Sequence, residues 1–272
     1  MCKDTKEQEM LLTEQLREQV GNLMAAAQLL APAIQKQENR HYDQYMAILN
    51  QSLYRLLRLT EHLELTGRER RGESLEFRPA AVDPAELCRT LCGQVEELAA
   101  RMKVSFRFEQ EGMDCPFSGD EILLRRMLLN LIANALHAAG EGGRAGLRLS
   151  MEKSRVRFTV WDDGPGRALP GGTEGTSPTG EDGETLLRTR AGLGLGLPIA
   201  REIAAGHSGT LVYERGEGRG VRAVVSLPVK PPKENVLHTP RMGYDPTGGF
   251  SQVLVELADV LPYEIFLPEE LE

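Results

Sequence analysis

The sequence predicts an α+β chain, an N-terminal antiparallel helical hairpin followed by an α/β sandwich with a short extension behind it. Three observations predict this. Between residues 8 and 66, apolar residues recur at alternating steps of three and four, the seam of helices that bury against other helices. From 73 to 229, helix-capping signals alternate with runs of period two, which places helices on one face of a mostly antiparallel sheet. From 230 to 249 Pro and Gly are frequent, and the chain then turns apolar again. The expected parts are therefore 1–67, 73–229 and 230–272.

In the first part, Leu16, Val20, Leu23, Ala27, Leu30 and Ile34 make one seam. Met46, Leu49, Leu53, Leu56, Thr60 and Leu63 make a second. Pro32 ends or kinks the first run, and residues 35–40 form the turn. Two helices enclose little interior, so pairing with a second copy into a four-helix bundle is the expected arrangement. Packing of the hairpin on the C-terminal domain is the alternative. Gly67 and the charged run 68–71 read as a hinge. A strand is expected over 74–78, then a helix opened by Asp83-Pro84 and running to Ala100. Val104, Phe106 and Phe108 alternate as a half-buried strand, and Asp120 caps a helix through Ala139. Strands follow over 144–150, 155–161, 210–214 and 222–228. The apolar run 250–266 is expected to dock on the domain or on a partner.

Bulk properties narrow the function. A net charge of −8 argues against a nucleic-acid surface. No run approaches the roughly 18 apolar residues of a membrane span, so none is expected. The first thirty residues alternate charge and leucine, unlike a secretion signal. Cys2, Cys88, Cys92 and Cys115 do not form two metal-ligand pairs, and Cys88 and Cys92, four apart in a helical pattern, read as reduced, partly buried small hydrophobes. The expected location is the cytoplasm.

Three motifs carry chemistry. Asn130 and Asn134 lie one turn apart on the helix after Asp120 and share a face. An amide carbonyl is a hard-oxygen ligand suited to Mg²⁺, and His137 near that face can donate to a phosphate oxygen. Two ordinary polar residues on an amphipathic helix are the plainer alternative. Asp162-Asp163-Gly164-Pro165-Gly166 follows an apolar strand. A carboxylate there can accept from an adenine amino group, while Gly164 and Gly166 let backbone approach the base. A hairpin turn has the same composition. Gly192, Gly194 and Gly196 open a helical run, where bare backbone N–H groups suit phosphate. Residues 167–190 before them hold hardly any apolar anchor and read as a lid over bound nucleotide.

Taken with Gly206-His-Ser-Gly209, these blocks resemble the catalytic domain of bacterial sensor histidine kinases. That domain belongs to the ATPase superfamily shared with gyrase, the Hsp90 chaperones and MutL. The resemblance covers residues 70–229 and implies ATP and Mg²⁺ as cofactors. It makes Asn134 the Mg²⁺-binding asparagine, Asn130 the polar residue preceding it and Asp162 the adenine contact. It puts His137 beside the phosphates and makes Gly192, Gly194 and Gly196 the lid hinge. The aromatic pair that many kinases carry ahead of these glycines is missing. ATP-hydrolysing relatives carry a glutamate where this chain has Asn130. An amide cannot take a proton from water, which favours phosphoryl transfer to a protein, or binding alone.

The helical part resembles the kinase dimerisation and phosphoacceptor domain, with Leu16, Arg17 and Val20 in register. Glu14 then stands where the acceptor histidine belongs, Gln15 at its acidic neighbour and Gln19 at the helix-bending proline. A carboxylate makes no stable phosphoramidate. His41 and His62 are expected at exposed positions, His207 at a structural position and His238 in a solvated loop. The resemblance implies a histidine-kinase-like, homodimeric signalling protein whose partner is a response regulator or a separate phosphoacceptor protein. A serine/threonine kinase of the anti-sigma-factor type and a non-catalytic ATP-gated scaffold are the alternatives.

Overall fold

The computed structural model of the chain describes residues 20, 21, 23, 40–70, 75–112, 115–152, 154–164, 196–215, 220–231 and 250–271. It divides into two compact units, Met1–Ser74 with Tyr244–Glu272, and Leu75–Gly243.

The first unit is built on helix α1, Arg40–Arg70. Its sequence has no proline and is rich in Leu, Arg and Glu, all good helix formers. The hinge expected at Gly67 is instead helix. One interior glycine costs only about 1 kcal/mol, and the Arg-Glu-Arg that follows continues the run to Arg70. The second seam divides in two. Met46, Leu53 and Thr60 are buried within the protomer, whereas Leu49, Leu56 and Leu63 are exposed at every second turn. Tyr45 and Ile48 extend that exposed apolar stripe. The turn at Pro32, Glu14, His238 and the side chain of His41 lie outside the described residues.

The C-terminal segment belongs to this same unit. Ser251 caps helix α5, Gln252–Leu257, by accepting from Leu254 N–H, and two 3₁₀ turns follow at Tyr263–Phe266 and Pro268–Glu270. Val255, Leu257, Leu261 and Phe266 are buried, and Tyr54 of α1 packs on Phe250 and Phe266 with ring centroids 5.8 and 5.3 Å apart. His62 is therefore not an exposed residue. It is 4% exposed, with Nε2 3.1 Å from the Glu256 carboxylate. Helical periodicity shows that His62 flanks the seam but not that a segment about 190 residues later covers its face.

The second unit is a sandwich. Strand β1 is Ala80–Val82, α2 Pro84–Arg101, β2 Ser105–Gly112, β3 Phe117–Gly119 and α3 Glu121–Ala139. Then come β4 Arg144–Met151, β5 Arg155–Asp162, α4 Gly196–Gly206, β6 Thr210–Arg215 and β7 Val221–Pro228. The main sheet runs β2-β4-β5-β7-β6, with only β2 and β4 parallel. The strand expected over 74–78 forms later, as β1, which pairs with β3. Pro79 cannot donate to a ladder, and the Arg78 N–H goes to the Asp120 carboxylate at 2.8 Å. The sequence does not predict three-residue β3, because so short a run has no period.

Strand β5 alternates strictly, with Val156, Phe158, Val160 and Asp162 turned inward, and α3 lies on that inner side. Length and composition alone would let α3 cross a membrane, but 67% of its apolar 18-residue window is buried in the protein. It is the core helix of the domain, with Leu124, Met127, Leu128, Ile132 and Leu136 fully enclosed. Burial pushes the Cys88 thiol well up and Cys92 to about 12, so both remain neutral, inert core residues.

Candidate nucleotide-binding site

The site is assembled along α3. Asp120 caps its N-terminus, one carboxylate oxygen accepting from Leu123 N–H at 3.2 Å and the other from Arg78 N–H. The Asp120 N–H itself donates to His207 Nε2 at 3.0 Å, while His207 Nδ1 donates to Ile203 O at 2.8 Å. Burial lowers the pKa of His207, which favours the neutral ring these two bonds require. His207 thus ties the end of α4 to the start of α3, a structural position as the sequence implies.

Asn130 is 1% exposed, and its Nδ2 donates to Arg126 O at 3.0 Å. A Cβ built on Gly196 would stand 2.5 Å from its Oδ1. A side chain at 196 would displace this amide, so the first turn of α4 lies directly against it. One turn on, Asn134 is half-buried, and among the described residues its side chain makes no hydrogen bond. His137 is exposed. A Cβ on Gly164 would lie 2.2 Å from Ala138 O, so the turn after β5 sits directly on the C-terminal end of α3. From Asn130 to Ala138 the helix advances about 12 Å. The α4 start meets it at one end and the Asp162 turn at the other.

Asp162 closes the inner face of β5. It is 8% exposed, and one carboxylate oxygen accepts from Gly164 N–H at 2.9 Å. Burial raises its pKa, with hydrogen bonds from the Gly164 and Val221 backbone opposing the rise. A buried carboxylate with spare lone pairs is suited to an amino-group donor. Gly220, with φ +82°, is a site residue that sequence reasoning misses. A Cβ there would stand 1.9 Å from Asp162 O, so Gly220 and Val221 position the aspartate from the β6–β7 side. The glycines of 216–220 read as a plain turn, and nothing local in the sequence ties them to Asp162. Gly166, Gly192 and Gly194 lie outside the described residues.

These residues fit a nucleotide. Glycines hold the approach open, since a side chain at 164, 196 or 220 would collide with neighbouring atoms. Among the described residues no three His, Cys, Asp or Glu side chains cluster to hold a metal. A cation at Asn134 would therefore share its shell with phosphate oxygens and water, the usual habit of Mg²⁺. The sheet's opposite face carries an open depression of about 780 Å³ bordered by Arg144, Arg148 and Trp161. Arg148 is paired with Glu109 and Arg144 with Asp163, which makes it a solvated, charge-balanced surface.

Residues 119–231 match the family described as histidine kinase-, DNA gyrase B-, and HSP90-like ATPase. The chain is 24% identical over 232 residues to sensor histidine kinase SpaK of Bacillus subtilis, covering 84% of this chain and 48% of that protein. It is 27% identical over 225 residues to sensor protein kinase PmrB of Pseudomonas aeruginosa, covering 80% and 44%. Full-length ShkA in complex with AMPPNP aligns with a TM-score of 0.63 at 24% identity, over 84% of this chain and 47% of that chain. Histidine kinase ThkA in complex with response regulator TrrA aligns with a TM-score of 0.54 at 22% identity, over 81% and 61%. Both share the α+β architecture. The chain spans about half the length of the curated relatives it matches.

Proposed function

We propose that this chain, whose residues 119–231 match the histidine kinase-, DNA gyrase B-, and HSP90-like ATPase family, binds ATP with Mg²⁺ along α3 and passes its terminal phosphoryl group to a protein acceptor in a two-component phosphorelay, releasing ADP. The observation that carries the reading is that the Asp162 turn, through Gly164 against Ala138 O, and the start of α4, through Gly196 beside the Asn130 amide, both meet the helix that carries Asn134. Asp162 accepts from the adenine amino group. The Asn134 carbonyl oxygen would hold Mg²⁺, and the exposed His137 would donate to a phosphate oxygen. When bound, Mg²⁺ neutralises charge on the phosphate oxygens. The N-terminal turn of α4 at Gly196 offers backbone N–H groups to the same phosphates, with Gly164 and Gly166 shaping the base pocket and Gly192, Gly194 and Gly196 serving as lid hinge.

Asn130 gives the site its choice of acceptor. Its amide is buried and engaged with Arg126 O, and an amide has no basicity with which to activate water. The reading is therefore transfer to a side chain in place of hydrolysis. Because Glu14 occupies the expected acceptor position, the acceptor is a response regulator or a separate phosphoacceptor protein. The response regulator in the ThkA complex supports a partner of that kind. The exposed stripe Tyr45, Ile48, Leu49, Leu56 and Leu63 supports a homodimer through α1, since so continuous an apolar face is otherwise left in water. ATP use places these events in the cytoplasm.

Purified protein incubated with γ-labelled ATP, alone and with an added response regulator or histidine phosphocarrier, tests this. The expected result is label on the added protein and no acid-labile, base-stable label on this chain. Phosphohistidine mapped to His41 or His62 overturns the acceptor argument. Acid-stable phosphoserine on a partner favours the anti-sigma-factor type of kinase, and bound ATP with no transfer favours the scaffold.

A further inference from the structure

The C-terminal segment is seated on α1 through side chains that read polypeptide backbone and charge. Asn50 Nδ2 donates to Phe266 O at 3.0 Å, and Gln51 Nε2 to Leu261 O at 2.7 Å and Ala258 O at 3.3 Å. Arg55 Nε donates to Ala258 O at 3.1 Å. Asn50 meets the last carbonyl of the 3₁₀ turn Tyr263–Phe266, and Gln51 and Arg55 meet carbonyls just beyond the C-terminal end of α5, groups that a helix end leaves without internal partners. Arg55 and Arg58 also bring positive charge to that end, where the helix dipole favours it. Arg58 pairs with both Glu256 and Asp259, and His62 reaches Glu256 from the next turn.

The seat is mixed: Tyr54 packs on Phe250 and Phe266, while the ion pairs beside it rarely add stability over hydrophobic packing. What such pairs supply is register and choice of partner, as in interfaces that form and separate. The face is centred on residues 51, 54, 58 and 62, and lies away from the exposed stripe of Leu49, Leu56 and Leu63. The family match ends at residue 231, so this segment is an addition to the ATPase domain.

We propose that residues 250–271 are an exchangeable strap, a ligand carried in cis on a protein-docking face of α1, whose release uncovers Asn50, Gln51, Arg55, Arg58 and His62 for an acidic amphipathic helix of a partner. The chemistry of the face selects that class. Its cationic groups require carboxylates spaced as Glu256 and Asp259 are, and its amide donors require the free carbonyls of a helix end. The inference rests on the helical unit alone and stands whether or not ATP is used.

The test keeps the whole chain. A protease site placed within 232–249 is cut after purification, and a fluorescent peptide of residues 249–272 is added. The cut fragment is expected to remain bound, and to exchange with the labelled peptide faster than the helical unit unfolds. Amide exchange of residues 43–65 rises only when the seat is emptied. A peptide carrying Glu256→Gln and Asp259→Asn competes at least about ten-fold less well, the effect of removing hydrogen-bonded charges from an interface. Exchange no faster than global unfolding makes the segment a core element and overturns the proposal. So does a fragment that departs on cutting without changing the protection of α1, or a neutralised peptide that competes equally.

Discussion

Gly164→Ala perturbs the site where its two halves meet. The new Cβ would lie 2.2 Å from Ala138 O, against the 3.4 Å at which ordinary contact begins. The turn must therefore retreat by about 1.2 Å. The atom in the way is backbone at the end of a buried helix and cannot rotate aside. Forced repacking of this kind costs about 1–3 kcal/mol, and loss of the 2.9 Å bond from Gly164 N–H to Asp162 adds about 1 kcal/mol. At a sensitivity of about 2–4 °C per kcal/mol for a domain of this size, the melting temperature should fall by roughly 5–15 °C. Loss of the bond from Gly164 N–H frees the Asp162 carboxylate from its set position, so ATP affinity should fall about 10- to 100-fold, the worth of a buried charge-assisted hydrogen bond. Calorimetry measures both quantities on one sample. A Gly164→Ala variant that melts and binds ATP like the parent refutes the packing of this turn on α3.

Gly93→Ala is the matched opposite. Gly93 lies within α2, and a Cβ there meets nothing within 4 Å. Thermal unfolding should show a gain of about 0.5–1 kcal/mol, and a loss would mean the α2 surface is misassigned. Leu56→Asp, in the exposed stripe, should give a folded monomer by light scattering with unchanged helicity. Leu53→Asp, at a site 4% exposed, should unfold the helical unit at a cost of several kcal/mol. If Leu56→Asp leaves the oligomer intact, the stripe is not the dimer seam. His207 supplies a pH test. Burial lowers its folded pKa below 6.5, so the unfolded chain takes up more protons, and stability declines as pH drops through about 6.5 toward the folded value. Denaturant midpoints between neutral and acid pH should lose part of that decline in His207→Gln, and an unchanged slope contradicts the role given to its ring.

Much of the second unit is legible in the sequence because its signals are local. Asp83-Pro84 and Asp120 announce α2 and α3 through cap chemistry, and period-two alternation announces β5, although the inward placement of Asp162 at its end comes from the structure. The asparagine pair, the aspartate and Gly196 can be singled out because each motif follows its own element at a fixed spacing. What stays hidden is tertiary. Gly220 bears on Asp162 across 58 residues, a distance at which no periodicity operates. The seam of α1 is legible as apolar, but its division between Leu53 inside and Leu56 outside depends on which faces are covered. His62 shows the same limit. Its burial is made by Glu256, and a helical pattern reports only which residues share a face.

Nucleotide titration of the parent, Asn134→Ala and Asp162→Ala, with ATP and GTP, with and without Mg²⁺, tests the central claim most directly. The parent should prefer ATP and bind it more tightly with Mg²⁺. Asn134→Ala should lose the Mg²⁺ enhancement while keeping the preference for adenine, and Asp162→Ala should lose that preference while keeping the enhancement. Unchanged ATP affinity and selectivity in both variants would contradict an ATP site built on α3 and the Asp162 turn.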